Sequence, residues 1–386
     1  MASLNIPNVK SITRALPFWL SLCGPAVVVS ATLTGGAALI LPPLLAWWMF
    51  TALDALVGED QYNADPNTPD ADLIWYRAIT IAWFPIQLAL LIWMLAYVPQ
   101  AAHLALGEKI AAFFGFGVFS GTIGITYAHE LMHQKNRAER TLGDLLMASV
   151  LYSHFRSEHL RVHHSHVATP RDAVTARYNE GFHRFFPRVL RQSLASAWHA
   201  EAAMLARRGL PVWHSANPFW LYGALQLGFL ALAYGLGGAL GLGLFAFQAV
   251  VAIWQLELIN YIEHYGLTRR HLGDGKYEHV MPHHSWNSAQ KASNWLLINL
   301  QRHSDHHYKP DRRFPLLQTY GPDRAPCLPY GYPVMGIAAL IPPLWRRVMN
   351  PRVRAWRAQF YPDITDWHAY NKALNPMDTK SVTPDR

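Results

Sequence analysis

Cysteine is nearly absent from this 386-residue chain, which has only Cys23 and Cys327. Two thiols cannot build a disulfide framework or a cysteine-rich metal site. Charge is scarce as well. Charged residues make up 15% of the chain and hydrophobic ones 51%, whereas soluble domains carry about 25% charged residues. The length alone would allow two or three soluble domains, but the missing charge points to lipid. A formal net charge of +8 could suit nucleic acid. The basic residues, however, gather in segments that follow apolar runs. The positive-inside rule accounts for that placement more simply, and no nucleic-acid partner is expected.

Six apolar segments are long enough to span a bilayer, at about 20 residues each: 15–35, 38–57, 74–97, 107–128, 217–235 and 241–265. Gly35-Gly36 separates the first two, and Gly235, Gly237 and Gly238 interrupt the last pair. Residues 129–214 hold twelve Lys and Arg and no span, and 266–324 is also basic. The 98–106 loop has no Lys or Arg. The basic segments and both termini should therefore face the cytoplasm. The acidic 58–73 loop would face it too, which the rule leaves unexplained. Residues 331–345 are too short and too proline-broken to span, and fit an interface or a core. The expected architecture is an all-α integral membrane protein with six transmembrane helices. One domain, 1–386, would carry a cytoplasmic helical cap from segments 129–214 and 266–386.

Histidine is what the chain has in excess. Eighteen of its twenty His lie between His129 and His307. They form three boxes: His129-x3-His133, His159-x3-His163-His164, and His303-x2-His306-His307. On a helix, residues four apart share a face, so two such imidazoles can converge on one ion. Adjacent pairs, His163-His164 and His306-His307, diverge by roughly 100°. Such a pair reaches two different ions or lies on both sides of one. His264, at the cytoplasmic end of the sixth span, stands at the depth of His129 and can complete the cluster. Two metals are the natural expectation.

Imidazole suits Zn, Cu, Fe and Ni, so the ligands alone do not name the metal. The first box also matches H-E-x-x-H, a zinc metalloprotease signature with Glu130 as base. An intramembrane zinc protease needs about three ligands and would leave the other boxes without a purpose. A metal transporter would string its histidines across the membrane, whereas these gather at one face.

The boxes resemble those of the membrane di-iron superfamily of fatty-acid desaturases and hydroxylases. NYIEHYGL at 260–267 and LQRHSDHH at 300–307 are similar to signatures of membrane alkane 1-monooxygenases, as are VATPRDAVTARYNE at 167–180 and YEHVMPHHSWNS at 277–288. The resemblance implies terminal hydroxylation of medium-chain n-alkanes by O2 at a di-iron centre. Its two iron ions would be bound by His129, His133, His159, His163, His164, His264, His303, His306 and His307. It implies electrons from reduced rubredoxin, an NADH-dependent rubredoxin reductase upstream, and a bacterial inner (cytoplasmic) membrane location. No tightly bound organic cofactor is expected. Gln134 and Val162 depart from the common Lys and Gly without removing a ligand. No paired C-x-x-C motifs are present, so rubredoxin is expected either as a separate protein or as a domain outside this sequence. Oxidation of an alkyl-aromatic methyl group, or acyl desaturation, is the alternative within the superfamily.

Ligating imidazoles usually donate their second N–H to a carboxylate or carbonyl. Glu130, Glu158, Glu263 and Asp305 adjoin ligand positions and are candidates. Glu257 lies inside the sixth span on the His264 face, and an ionisable group there is a functional candidate. An alkane would come from membrane lipid by a lateral route, and Thr122, Ile125 and Thr126 on the His129 face could line its deep end. His283 and His284 are further ligand candidates in a loop. His154, His166 and His279 flank the boxes as supporting groups, and His103 falls on the opposite side of the membrane.

Overall fold

Among residues 9–375, which the computed structural model describes, five helical stretches are long and apolar enough to cross a membrane. The ends of the expected 1–386 domain, residues 1–8 and 376–386, lie outside the described residues. Helices α1 (Ile12–Thr34) and α2 (Gly36–Val57) form a hairpin. Gly35 makes the turn at φ +69, a conformation that favours glycine. Helices α3 (Asp70–Gln100) and α4 (Leu106–Met132) follow. The expected spans 38–57, 74–97 and 107–128 fall within these helices, and 15–35 runs one residue past α1, to the Gly35 turn. Helix α4 runs further than expected, so His129 of the first histidine box lies in its last turn and His133 follows directly after it.

The cap helices α5 (Arg137–Ala148), α6 (155–166) and α7 (Phe182–Arg207) come next. The fifth apolar stretch, α8 (Phe219–His264), occupies both remaining expected spans, 217–235 and 241–265. It is not straight. Gly238 has non-helical angles, φ 60 and ψ −156. Phe229 and Phe245 stack with ring centroids 6.4 Å apart, where a straight helix would hold them about 24 Å apart. The stretch therefore folds back on itself at the glycines.

Lipid tails offer no hydrophobic drive between helices, so small residues that permit close approach decide the packing. A Cβ on Gly117 of α4 would stand 2.8 Å from the Gln248 carbonyl of α8. Phe113, Phe116, Met94 and Phe245 fill the core of this bundle. A second core, with Phe182, Phe185, Tyr261, Trp286 and Trp345, sits under the cap. The rest of the cap is α9 (Lys291–Leu296), α10 (His303–Tyr308), α11 (Tyr332–Leu340) and α12 (Pro342–Phe360). A short antiparallel ladder, β1 (His271–Gly273) with β2 (Lys276–Tyr277), is the only sheet among the described residues. Helix α11 and the start of α12 cover the 331–345 segment. Its Met335 and Ala339 are buried, while Ile337 is exposed.

The acidic 58–73 loop packs on the cap. Asp60 pairs with Arg302 at 3.4 Å and Asp70 with Arg313 at 2.9 Å, and the Asn63 amide donates to the Thr319 carbonyl. Two of its carboxylates are thus paired with cap arginines, which draws an acidic loop onto the basic side. Arg313 also grips Glu139 at 2.9 Å, and Glu139 is held from α3 by Arg77 at 2.6 Å.

Glu139 is buried, and removing one partner of a buried ion pair costs about 3 kcal/mol or more. Arg313→Ala should therefore lower the thermal unfolding midpoint of the detergent-purified protein, with Arg313→Lys intermediate. An unchanged midpoint in Arg313→Ala would contradict the role of this network in fastening the loop.

Candidate metal centre

Four parts of the chain bring nine imidazoles together beneath the cap. Helix α4 supplies His129, with His133 capping its end, α6 supplies His159, His163 and His164, the end of α8 supplies His264, and α10 supplies His303, His306 and His307. They sort into two groups. One contains His129, His133, His159, His164 and His306, and the other His163, His264, His303 and His307. In each group the ligand nitrogens all lie within 4.8 Å of one another.

The adjacent pairs split between the groups: His163 and His164 go to different ones, as do His306 and His307. The second box departs from the simple helical expectation. His159 and His163, four apart, fall in different groups, and His159 joins His164 with Nε2 atoms 3.0 Å apart. The cause is local. Residues 159–163 form a π-turn, and the His164 N–H bonds to the His159 carbonyl. A wider turn brings residues five apart onto one face.

The spacing fits metal ions. At a metal–nitrogen distance of roughly 2.1 Å, neighbouring donors in octahedral or tetrahedral geometry stand about 3.0–3.4 Å apart. In the first group, His133–His159 and His164–His306 are 3.0 and 3.1 Å apart at Nε2. In the second, His163–His307, His264–His303 and His303–His307 measure 3.2, 3.1 and 3.0 Å. A ring nitrogen has one in-plane site, either an N–H or a lone pair. His159, His164, His303 and His307 each face two neighbours through that one atom. A shared ion satisfies such an arrangement better than a chain of hydrogen bonds. His129 Nε2 is buried and has no hydrogen-bond partner, as a nitrogen awaiting a metal would be.

The electrostatics favour free lone pairs. Burial, then repulsion from the neighbouring His163 ring, holds His133 down at about 3. Burial, followed by neighbouring imidazoles, puts His159, His164, His303, His306 and His307 well below the usual histidine range. Neutral imidazole is the metal-binding form.

The carboxylates divide differently from the sequence expectation. Glu263 Oε2 lies 3.3 Å from His303 Nε2, and its Oε1 accepts the Tyr332 hydroxyl at 2.5 Å. Glu158 touches no ligand. Both its oxygens are buried without a partner. Burial raises its pKa well above the carboxylate range, and Asp172 and Glu257 add to the shift. Glu130 accepts from Gln134, Glu257 from Tyr152 and Asn260, and Asp305 from Arg312, Tyr320 and the Gln318 backbone. Asp305 points away from the imidazoles because its helix turn directs His303, His306 and His307 the other way.

Asp172 was not anticipated. Its Oδ2 accepts the Nδ1 proton of His163 at 2.9 Å and the Thr175 hydroxyl at 2.6 Å. Burial alone would raise its pKa, but His163 and Thr175 outweigh that and lower it. The only signal for it was its place in the 167–180 string, nine residues past its partner in irregular chain. Phe155 also escaped notice. Its ring stacks on His159 with centroids 4.9 Å apart.

Beside the imidazoles lies a cavity of about 260 Å³. Thr122, Ile125 and Thr126 line it, as do His129, His159, His303 and Glu263.

Comparison with known proteins fits this arrangement. Residues 108–338 match the fatty acid desaturase family model, an interval that holds all nine histidines. Alkane 1-monooxygenase 2 of Pseudomonas aeruginosa is 41% identical, covering 81% of this chain and 84% of the relative. The alkane 1-monooxygenase 2 of Alcanivorax borkumensis is 40% identical over 81% of this chain and 83% of the relative. The chain belongs to the alkane 1-monooxygenase family. A hydroxylase component of xylene/toluene monooxygenase from Pseudomonas putida is also similar, at 30% identity over 62% of this chain and 63% of the relative.

Within this alkane 1-monooxygenase family member, a third cluster, Glu278, His283 and His284, also has ligand-like spacing. It is already filled by hydrogen bonds. His284 Nδ1 accepts the Met281 N–H at 2.9 Å, which puts the ring proton on Nε2, facing the Tyr361 hydroxyl at 2.7 Å. A protonated nitrogen cannot ligate. His154 packs edge-on against Tyr152. His166 and His279 belong to no cluster among the described residues. His103 contacts the Thr32 carbonyl at the far end of α1.

Partners that orient a ligating imidazole typically contribute 10–100-fold in metal affinity. Asp172→Asn should therefore weaken metal retention on that scale in competition with a chelator. Retention equal to wild type would contradict the role of Asp172 in holding His163.

Proposed function

We propose that this chain is a six-span enzyme of the bacterial inner membrane that hydroxylates the terminal carbon of medium-chain n-alkanes at a di-iron centre on its cytoplasmic face. One observation carries this reading: an apolar cavity reaches from the bundle to imidazoles of both groups. The names of the most similar relatives agree with it. The fold-back at Gly238 supports six crossings. Pairing of two carboxylates of the acidic loop with cap arginines supports a cytoplasmic cap.

His129, His133, His159, His164 and His306 would hold one iron, and His163, His264, His303 and His307 the other. When bound, iron supplies the activation of O2 that a saturated C–H bond demands. The overall balance is alkane, O2, two electrons and two protons to primary alcohol and water. The protein binds, orients and keeps the site dry. Ile125, Leu258, Leu297 and Ile337 offer the alkyl chain an apolar wall, and Trp48 and Ile337 are exposed at its rim. An alkane dissolved in lipid would enter there. Tyr332 donates its hydroxyl proton to Glu263, and this polar pair lines the cavity alongside His129, His159 and His303.

Rubredoxin, reduced by an NADH-dependent reductase, is the proposed electron donor. The basic cap surface suits an acidic partner, and electrostatic steering of that kind weakens as salt rises. The alternative substrate is an alkyl-aromatic methyl group, which the similarity to the xylene/toluene enzyme component favours. The fit of a zinc protease is poor, because it leaves the second histidine group without a role.

The purified protein should contain two irons per chain and convert octane to 1-octanol with rubredoxin, its reductase and NADH. His133→Ala and His264→Ala should each lower the iron content, and His303→Ala should abolish turnover. One zinc per chain with no alcohol formed would sink the proposal. Turnover should also fall with increasing ionic strength, and salt-independent turnover would refute electrostatic docking of the donor.

A further inference from the structure

The end of the cavity away from the imidazoles is lined by Gln255, beside Trp47 and Thr122. Its lining runs along α4 from His129 back to Gly121 and along α8 from Glu263 back to Gln255 and Trp254. From Gly121 to His129, and from Gln255 to Glu263, the helix rise gives about 12 Å. Gln255 is buried. Its Oε1 accepts the Trp47 indole N–H from α2 at 3.1 Å and the Thr122 hydroxyl from α4 at 3.0 Å. Its Nε2 donates to the Gly117 and Val251 carbonyls, both at 3.2 Å. Gly117 and Val251 do not line the cavity, so the amide stands between the cavity and the bundle beyond.

This amide is fully satisfied. Both lone pairs and both protons are used, and the three helices around it are tied through its one group. In a membrane interior no water replaces a lost partner. A ligand that pushes the amide aside must therefore leave several polar groups unpaired.

We propose that Gln255, clamped by Trp47 and Thr122, is the end wall of the alkyl cavity and sets the longest chain that the enzyme accepts. The inference rests on the hydroxylase reading above. A span of about 12 Å holds roughly nine extended carbons at about 1.3 Å each, from carbon–carbon bonds of about 1.5 Å. Shorter chains fit with the amide in place, and longer ones must displace it.

The test compares wild type, Gln255→Ala and Gln255→Ser on n-alkanes from octane to hexadecane, with product alcohols quantified together. The serine variant guards against misfolding, because its hydroxyl can bond the Val251 carbonyl one turn back. Both variants should lengthen the longest accepted chain by about two to three carbons, the reach of the lost side chain. The undecane-to-octane turnover ratio should rise at least about tenfold, the scale of one methylene admitted to a pocket. A purely structural role for Gln255 would lower all turnovers together and leave that ratio unchanged, which would overturn the proposal. If wild type forms no alcohol from any alkane, the hydroxylase reading fails instead. The wall is then judged by which n-alkanes the purified protein retains, extracted and measured by gas chromatography. The longest retained chain must rise in Gln255→Ala, and an unchanged limit overturns the wall.

Discussion

Convergence of nine imidazole nitrogens in a dry interior is the constraint on which the rest of this structure depends. Uncharged, buried nitrogens facing one another at about 3 Å gain little from each other unless an ion lies between them. Holding them there means ordering four separate parts of the chain, at a conformational-entropy cost for each. The cap exists in this form because it must bear that cost. Asp172 fixes the His163 ring. Arg312, Tyr320 and the Gln318 backbone fix Asp305, and with it the back of the α10 turn. Arg302 and Arg313 strap the acidic 58–73 loop across the top.

The membrane bundle meets the same constraint from below. Helix α8 must deliver His264 beside the α4 histidines, so the two helices approach closely at Gly117 and Gly121. Three π-turns recur at the places that matter. They lie at 44–49 of α2 and 120–125 of α4 along the cavity, and at 159–163 of α6 within the histidines. Such turns re-aim side chains without ending a helix. In α6 the result is explicit, because it decides which histidines share a group. The polar contacts inside the bundle, such as the Gln255 amide with Trp47 and Thr122, are satisfied by protein because lipid cannot satisfy them.

What sequence made legible here follows the range of the physics. Box spacing is local, so the pairing of His129 with His133 and of His303 with His307 could be read directly. So could the divergence of His163 from His164, although not whether that meant two ions or one. The π-turn at 159–163 could not be read. It exchanges one hydrogen-bond register for a neighbouring one, and nothing in HLRVH announces it. Asp172 was equally hidden, since an irregular loop carries no periodicity to say where a carboxylate returns. Apolar length revealed the spans, and the glycines at 235–238 marked the fold-back within α8. The partners of the acidic loop lie more than two hundred residues away in the chain, at Arg302 and Arg313. No local pattern could supply them, and the loop looked anomalous until the cap was seen against it.

The central claim is that two separate ions occupy the two histidine groups. Anomalous diffraction from crystals of the iron-loaded protein, collected at the iron absorption edge, tests it most directly. The account predicts two peaks. One should lie about 2.1 Å from Nε2 atoms of the group containing His129 and His159, and the other at a similar distance from those of the group containing His264 and His307. A single peak, or iron placed instead among Glu278, His283 and His284, would contradict it.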